Sequence, residues 1–194
     1  ISMLEAIIFD MDGVLVDSEY TYFQSKSQIL SEAGHEVEDS YHFQFMGTTS
    51  DYMWEKMKQE FSLPLSVAEY IQQMTALRQA MIKRDGIRVI PHVQEFVKGL
   101  SQAGLKLAVA SSSSLAEIKV NLAEIGLSEY FSEVVSTKNG TGAVRNAGMV
   151  CVGFANPAFP KQDLAFADRV VSSFSELDAD SLTKIYQKVR ASHA

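Results

Sequence analysis

The chain has 194 residues, 46% of them hydrophobic and 21% charged, the profile of a soluble globular protein with one large domain or a core carrying a small insertion. A net charge of −7 and a pI near 5.1 disfavour nucleic acid and anionic membranes as partners, though not an anionic small substrate whose charge a metal offsets. The single cysteine, Cys151, gives no disulfide and fits a reducing cytoplasm, and neither a membrane-spanning stretch nor a secretory signal is apparent.

Met3 is the expected natural start, with Ile1-Ser2 an appended remnant. The apolar run Ile7-Ile8-Phe9 predicts a fully buried parallel strand that Gly13 breaks. Asp10 and Asp12 then stand at the carboxyl end of a strand, where open α/β sheets bind ligands, and alternation places them on one face. Gly13 lets the backbone approach a ligand closely. One carboxylate can attack phosphorus while the other serves as general acid and then general base. A carboxylate and a phosphate repel each other, so the pair calls for a bridging hard cation, Mg2+. Turn capping is the plain alternative for an Asp-x-Asp-Gly sequence.

From Glu19 the pattern turns helical. Phe23, Ile29, Leu30 and Ala33 recur at helical spacing up to Gly34. Asp51 is the expected cap of a helix carrying Tyr52, Met53, Trp54, Met57 and Phe61, and Ser66 that of one carrying Val67, Tyr70, Ile71, Met74, Leu77 and Met81. These aromatic and methionine stripes read as helix core rather than as a cofactor site. Residues 19–88 thus form an all-α cap with hinges at 14–18 and 86–89, placed to close over the acids and exclude water. His42, alone among aromatics, reads as packed or surface rather than as a ligand.

The core, residues 1–18 and 89–194, resumes as alternating elements: helix 92–104, strand 105–110, helix 115–126, strand 133–136, and an apolar run at Met149-Val150-Cys151-Val152 read as a buried strand. Such alternation predicts a Rossmann-like, doubly wound parallel sheet of the α/β class. Ser111 falls at a strand's carboxyl end, on the edge that bears Asp10. Serines before a helix are commonly N-caps, but beside Asp10 the Ser111 hydroxyl and the helix N-terminal amides suit a phosphate cradle.

The string Phe9-Asp10-Met11-Asp12-Gly13-Val14-Leu15-Val16-Asp17-Ser18-Glu19 resembles the first motif of the haloacid dehalogenase-like superfamily, in its capped phosphatase and β-phosphoglucomutase branch. The resemblance continues at Pro91-His92-Val93, 105–113, 126–131, 146–149 and 166–171. It implies Asp10 as nucleophile, Asp12 as general acid/base, Gly13, Ser111 and Ser112 at the phosphate, and Mg2+ held by the Asp10 carboxylate and the Asp12 carbonyl. The second acid argues for phosphoryl transfer over carbon–halogen cleavage. The implied enzyme is a phosphoric monoester hydrolase acting on a small phosphorylated metabolite. A mutase is less favoured: 19–23 lacks a histidine, and 45–50 lacks lysine and arginine. The sequence is silent on substrate identity and oligomeric state.

The chain departs from this pattern near 136–139. The expected lysine, and the acidic pair that ends a further strand, are absent. About thirty residues are missing relative to such a βα unit. Lys138, Asp163 and Asp168 are poor substitutes. That strand would lie beside the one bearing Asp10, and its loss would leave backbone groups unpaired at a cost of many kcal/mol against a total stability of ~5–15. The expectation is therefore a parent sequence that retains the segment; a genuine truncation would favour a catalytically inactive ligand- or partner-binding domain.

Overall fold

A computed structural model describes residues 3–111, 113–136, 148–160 and 162–193. The chain divides into two compact units, Ile1–Asp17 with Ile87–Ala194, and Ser18–Gly86.

In the first unit, β1 (Ala6–Phe9), β4 (Lys106–Ser111) and β5 (Glu133–Ser136) form a parallel sheet in the order β1-β4-β5. Phe9 lies opposite Val109, and Ser111 opposite Ser136, so the three carboxyl ends share one edge. Between them run α4 (Val93–Gln102) and α5 (Leu115–Glu124). Short antiparallel strands β2 (Val16–Asp17) and β3 (Arg88–Val89) pair where the chain leaves and re-enters the unit. The parallel pair β6 (Val152–Phe154) and β7 (Arg169–Val171), followed by α6 (Ala179–Ser192), completes it. The core gathers Phe9, Val97, Leu100, Leu107, Val109 and Ile118, with Val152 and Phe154 packed against it. Phe9 meets Phe96 and Phe131 edge-on at 5.9 and 5.8 Å, a geometry that aromatic quadrupoles favour. This is the expected α/β architecture, with its sheet in two pieces.

Two expectations for strands are corrected. Fully buried β1 is not observed: among the described residues it pairs only with β4, and Ile8 is 50% exposed. Among the described residues no strand pairs with its other edge, and a parallel strand is covered on both faces and edges only when flanked. Cys151 is half-buried and precedes β6, so the strand starts at Val152, three residues after the start of the apolar run read as strand. Its amide instead donates to Asp168 Oδ2 at 2.8 Å.

The second unit holds α1 (Glu19–Glu32), a 3-10 turn (Asp39–Phe45), α2 (Ser50–Phe61) and α3 (Val67–Asp85). Ser66 caps α3 in a full capping box with Glu69, as expected. The cap of α2 is Thr49 rather than Asp51, because Thr49 has the extended backbone from which its oxygen accepts the Tyr52 amide. The methionine and aromatic stripes are indeed core: Met53, Trp54, Met57, Tyr70 and Met74 are buried together, with Trp54 stacked on Tyr70 at 5.0 Å. Tyr52 faces outward. His42 is fully buried, stacked on Phe23 with Nε2 2.7 Å from Ser27 Oγ, and its pKa is pushed down to about 4 by burial and then by Lys26. It is a packed histidine. Among the described residues, no helix is long and apolar enough to cross a membrane.

Candidate active site

The strand β1 ends at Phe9, so both acids lie just beyond it rather than within it. A turn follows in which the amides of Val14, Leu15 and Val16 all donate to the Met11 carbonyl and Gly13 donates to Val16 O at 2.8 Å. Gly13 has φ +77°, with open space where a Cβ would stand. The turn fits glycine because of its backbone conformation, not because of crowding.

Asp10 Oδ1 accepts the Met11 amide at 2.8 Å. Crowding by surrounding protein raises the Asp10 pKa to about 6; the Met11 hydrogen bond opposes this rise, and the nearby Asp12 charge adds to it. Asp10 keeps exposed surface, so water screens part of this penalty. The Asp12 charge that raises the proton affinity of Asp10 makes a site that a cation relieves.

Across the sheet edge, Ser111 is 1% exposed at the end of β4. Its hydroxyl lies 3.5 Å from Asp12 Oδ2 and accepts the Ser113 amide at 3.2 Å. Ser113 Oγ donates to the same Asp12 oxygen at 3.0 Å. The Ser113 carbonyl accepts Ser136 Oγ at 2.6 Å, which ties the loop after β4 to the end of β5. The N-cap of α5 is Ser114, in a capping box with Glu117. Of the expected residues, Asp10, Asp12, Gly13 and Ser111 therefore meet at one edge. Ser112 lies outside the described residues, as does Lys138. Sequence reasoning missed Ser113; the run of four serines was the signal, but only the loop's hydrogen bonds separate the cap from the Asp12 partner.

Among the described residues, no group of three or more His, Cys, Asp or Glu side chains could hold a metal. Asp163 and Asp168 instead accept amides of nearby residues, Ala165 at 3.2 Å and Cys151 at 2.8 Å. The donors at hand, one crowded carboxylate and a backbone carbonyl, fit Mg2+, which keeps several waters and takes one or two carboxylates plus a substrate phosphate.

The model of the haloacid dehalogenase-like hydrolases matches residues 7–143. The chain belongs to that family. A putative phosphatase of Bacillus subtilis is 28% identical over 177 residues, covering 89% of this chain and 79% of that protein. A phosphorylated carbohydrates phosphatase of Thermotoga maritima is 26% identical over 140 residues, covering 71% of this chain and 64% of that protein. The crystal structure of a β-phosphoglucomutase from Clostridium difficile superposes with a TM-score of 0.76 at 18% identity, covering 97% of this chain and all of that one. At that identity the likeness shows the fold, a Rossmann-like core with a helical cap. Both of these curated relatives are named as phosphatases, the activity of phosphoric monoester hydrolases.

Proposed function

We propose that the chain hydrolyses a small phosphorylated metabolite through an aspartyl-phosphate on Asp10, with Mg2+ as cofactor. One observation carries the reading: the Asp10 carboxylate stands just beyond β1, on the same sheet edge as the Ser111 hydroxyl and the Asp12 carboxyl. Asp10 Oδ would attack phosphorus as the bond to the leaving oxygen breaks. Asp12 would give that oxygen a proton and then take one from the water that attacks the phosphoryl-enzyme. The Ser111 hydroxyl and the turn at Gly13 would hold the phosphoryl oxygens. Mg2+, held by the Asp10 carboxylate and the Asp12 carbonyl, would neutralise charge between carboxylate and phosphate.

The Thermotoga relative, named for phosphorylated carbohydrates, supports a sugar phosphate as substrate class. Phosphate release from a panel of sugar phosphates with added Mg2+, compared with isomerisation of β-glucose 1-phosphate, tests hydrolysis against the mutase reading. A second reading, a domain that binds a phosphorylated ligand without turnover, draws support from the described residues alone, among which β1 pairs only with β4 and no third acid joins the site. Binding of the same panel without phosphate release would establish that reading instead.

A further inference from the structure

We propose that Ser113 is the positioning residue for Asp12, holding its carboxyl on the β4 side of the site through both halves of the reaction cycle. This rests on the phosphatase reading for its catalytic consequence, but its geometry stands apart from it.

Ser113 Oγ is 3.0 Å from Asp12 Oδ2, a shorter contact than the 3.5 Å from Ser111 Oγ to the same oxygen. The serine is itself fixed on both sides. Its amide donates to Ser111 Oγ, and its carbonyl accepts Ser136 Oγ. The ends of β1, β4 and β5 are thereby joined through one loop residue. Helix capping does not account for this hydroxyl, because Ser114 accepts the Glu117 amide and Glu117 Oε2 returns to the Ser114 amide. Asp12 sits in the turn beside Gly13, off the regular strand, where its backbone bridges to Val16 and Ser113 reaches its side chain.

The chemistry of the brace suits an alternating group. A serine hydroxyl donates to a carboxylate and accepts from a carboxylic acid, so it can hold Asp12 in either state. In the first half-reaction the Asp10 Oδ–P bond forms, the bond from phosphorus to the leaving oxygen breaks, and the electron pair on that oxygen takes the Asp12 proton. In the second, water oxygen bonds to phosphorus, Asp12 takes the water proton, and the P–Oδ bond returns its pair to Asp10. Ser113 stays bonded to Asp12 throughout and touches neither reacting atom. It also leaves Ser111 free to turn its hydroxyl toward a phosphoryl oxygen without releasing Asp12.

The test uses the full chain, its Ser113→Ala and Ser113→Thr variants, and excess Mg2+. Rapid quenching measures phosphoryl-enzyme formation from 4-nitrophenyl phosphate, whose leaving group needs no proton, and from glycerol 2-phosphate, whose leaving group does. Ser113→Ala slows formation from the alkyl ester by about 10- to 100-fold, the cost of misplacing a general acid, and leaves the aryl ester nearly unchanged. Ser113→Thr restores the alkyl rate. Equal slowing with both esters, or no slowing with either, overturns the proposal. If the unmutated chain forms no phosphoryl-enzyme from either ester, the phosphatase reading fails instead. The proposal is then decided by 13C NMR of the aspartate carboxyls, with the Asp12 resonance identified by its loss in Asp12→Asn. That resonance moves in Ser113→Ala and stays in place in Ser113→Thr; an unmoved resonance in Ser113→Ala overturns the proposal by itself.

Discussion

Replacing Lys26 by methionine should stabilise the helical unit at neutral pH. Lys26 is 2% exposed, with Nζ 3.1 Å from Met53 Sδ and 5.8 and 5.4 Å from the rings of Phe23 and Phe45. Among the described residues no carboxylate forms an ion pair with it. Burial lowers its pKa from 10.5 to about 8, against a weaker pull from Glu19. At ~1.4 kcal/mol per pH unit, holding this ammonium in the fold costs about 3 kcal/mol at pH 7. The two ring contacts offset roughly 1 kcal/mol, so Lys26→Met should gain about 2 kcal/mol, with methionine filling the same volume. The pH sign follows from a folded pKa depressed below the unfolded one. Between about 8 and 10.5 the unfolded chain binds more protons, so wild-type stability rises with pH across that window. The advantage of the variant should shrink over the same interval. Urea titrations followed by Trp54, the single tryptophan and a buried member of this unit, report the difference between the two proteins and cancel the other lysines and tyrosines. A less stable variant at pH 7, or a difference that stays constant from pH 7 to 10.5, would refute the reasoning.

Three further outcomes are expected. Chelating Mg2+ should stop turnover, and isothermal titration should show Mg2+ binding that Asp10→Asn weakens while circular dichroism stays native. Ser66→Ala removes the hydroxyl that accepts the Glu69 amide in the α3 capping box, leaving the backbone bond to Glu69 Oε2, and should cost about 1 kcal/mol in urea titrations read by Trp54. Gly13→Ala meets no steric clash, so its cost should be the positive-φ penalty alone, roughly 1–2 kcal/mol; a much larger loss would mean that the turn packs more tightly than the structure has it.

Much of the fold was legible because the signals were local. The apolar run before Asp10 marks β1, serines three residues ahead of Glu69 and Glu117 mark α3 and α5, and Glu133–Ser136 forms the strand its branched residues suggest. Harder were choices between chemically equal neighbours. Thr49 and Asp51 can both cap a helix, and backbone conformation alone selects Thr49. In the serine run, Ser111, Ser113 and Ser114 differ only in where the loop turns them. Exposure of Ile8 depends on which strands flank β1, only β4 among the described residues, which no property of β1 itself reveals. Buried Lys26 had a readable signal: it falls three residues after Phe23 and four before Leu30, on the buried face of α1. The general rarity of buried lysine hides it.

The most direct test of the account is to trap the phosphoryl-enzyme. Rapid acid quenching of the full chain with Mg2+ and 4-nitrophenyl phosphate, followed by peptide mass spectrometry, should find one phosphoryl group on Asp10, absent in Asp10→Asn. Phosphate release with no label on Asp10, or undiminished release by Asp10→Asn, would contradict it.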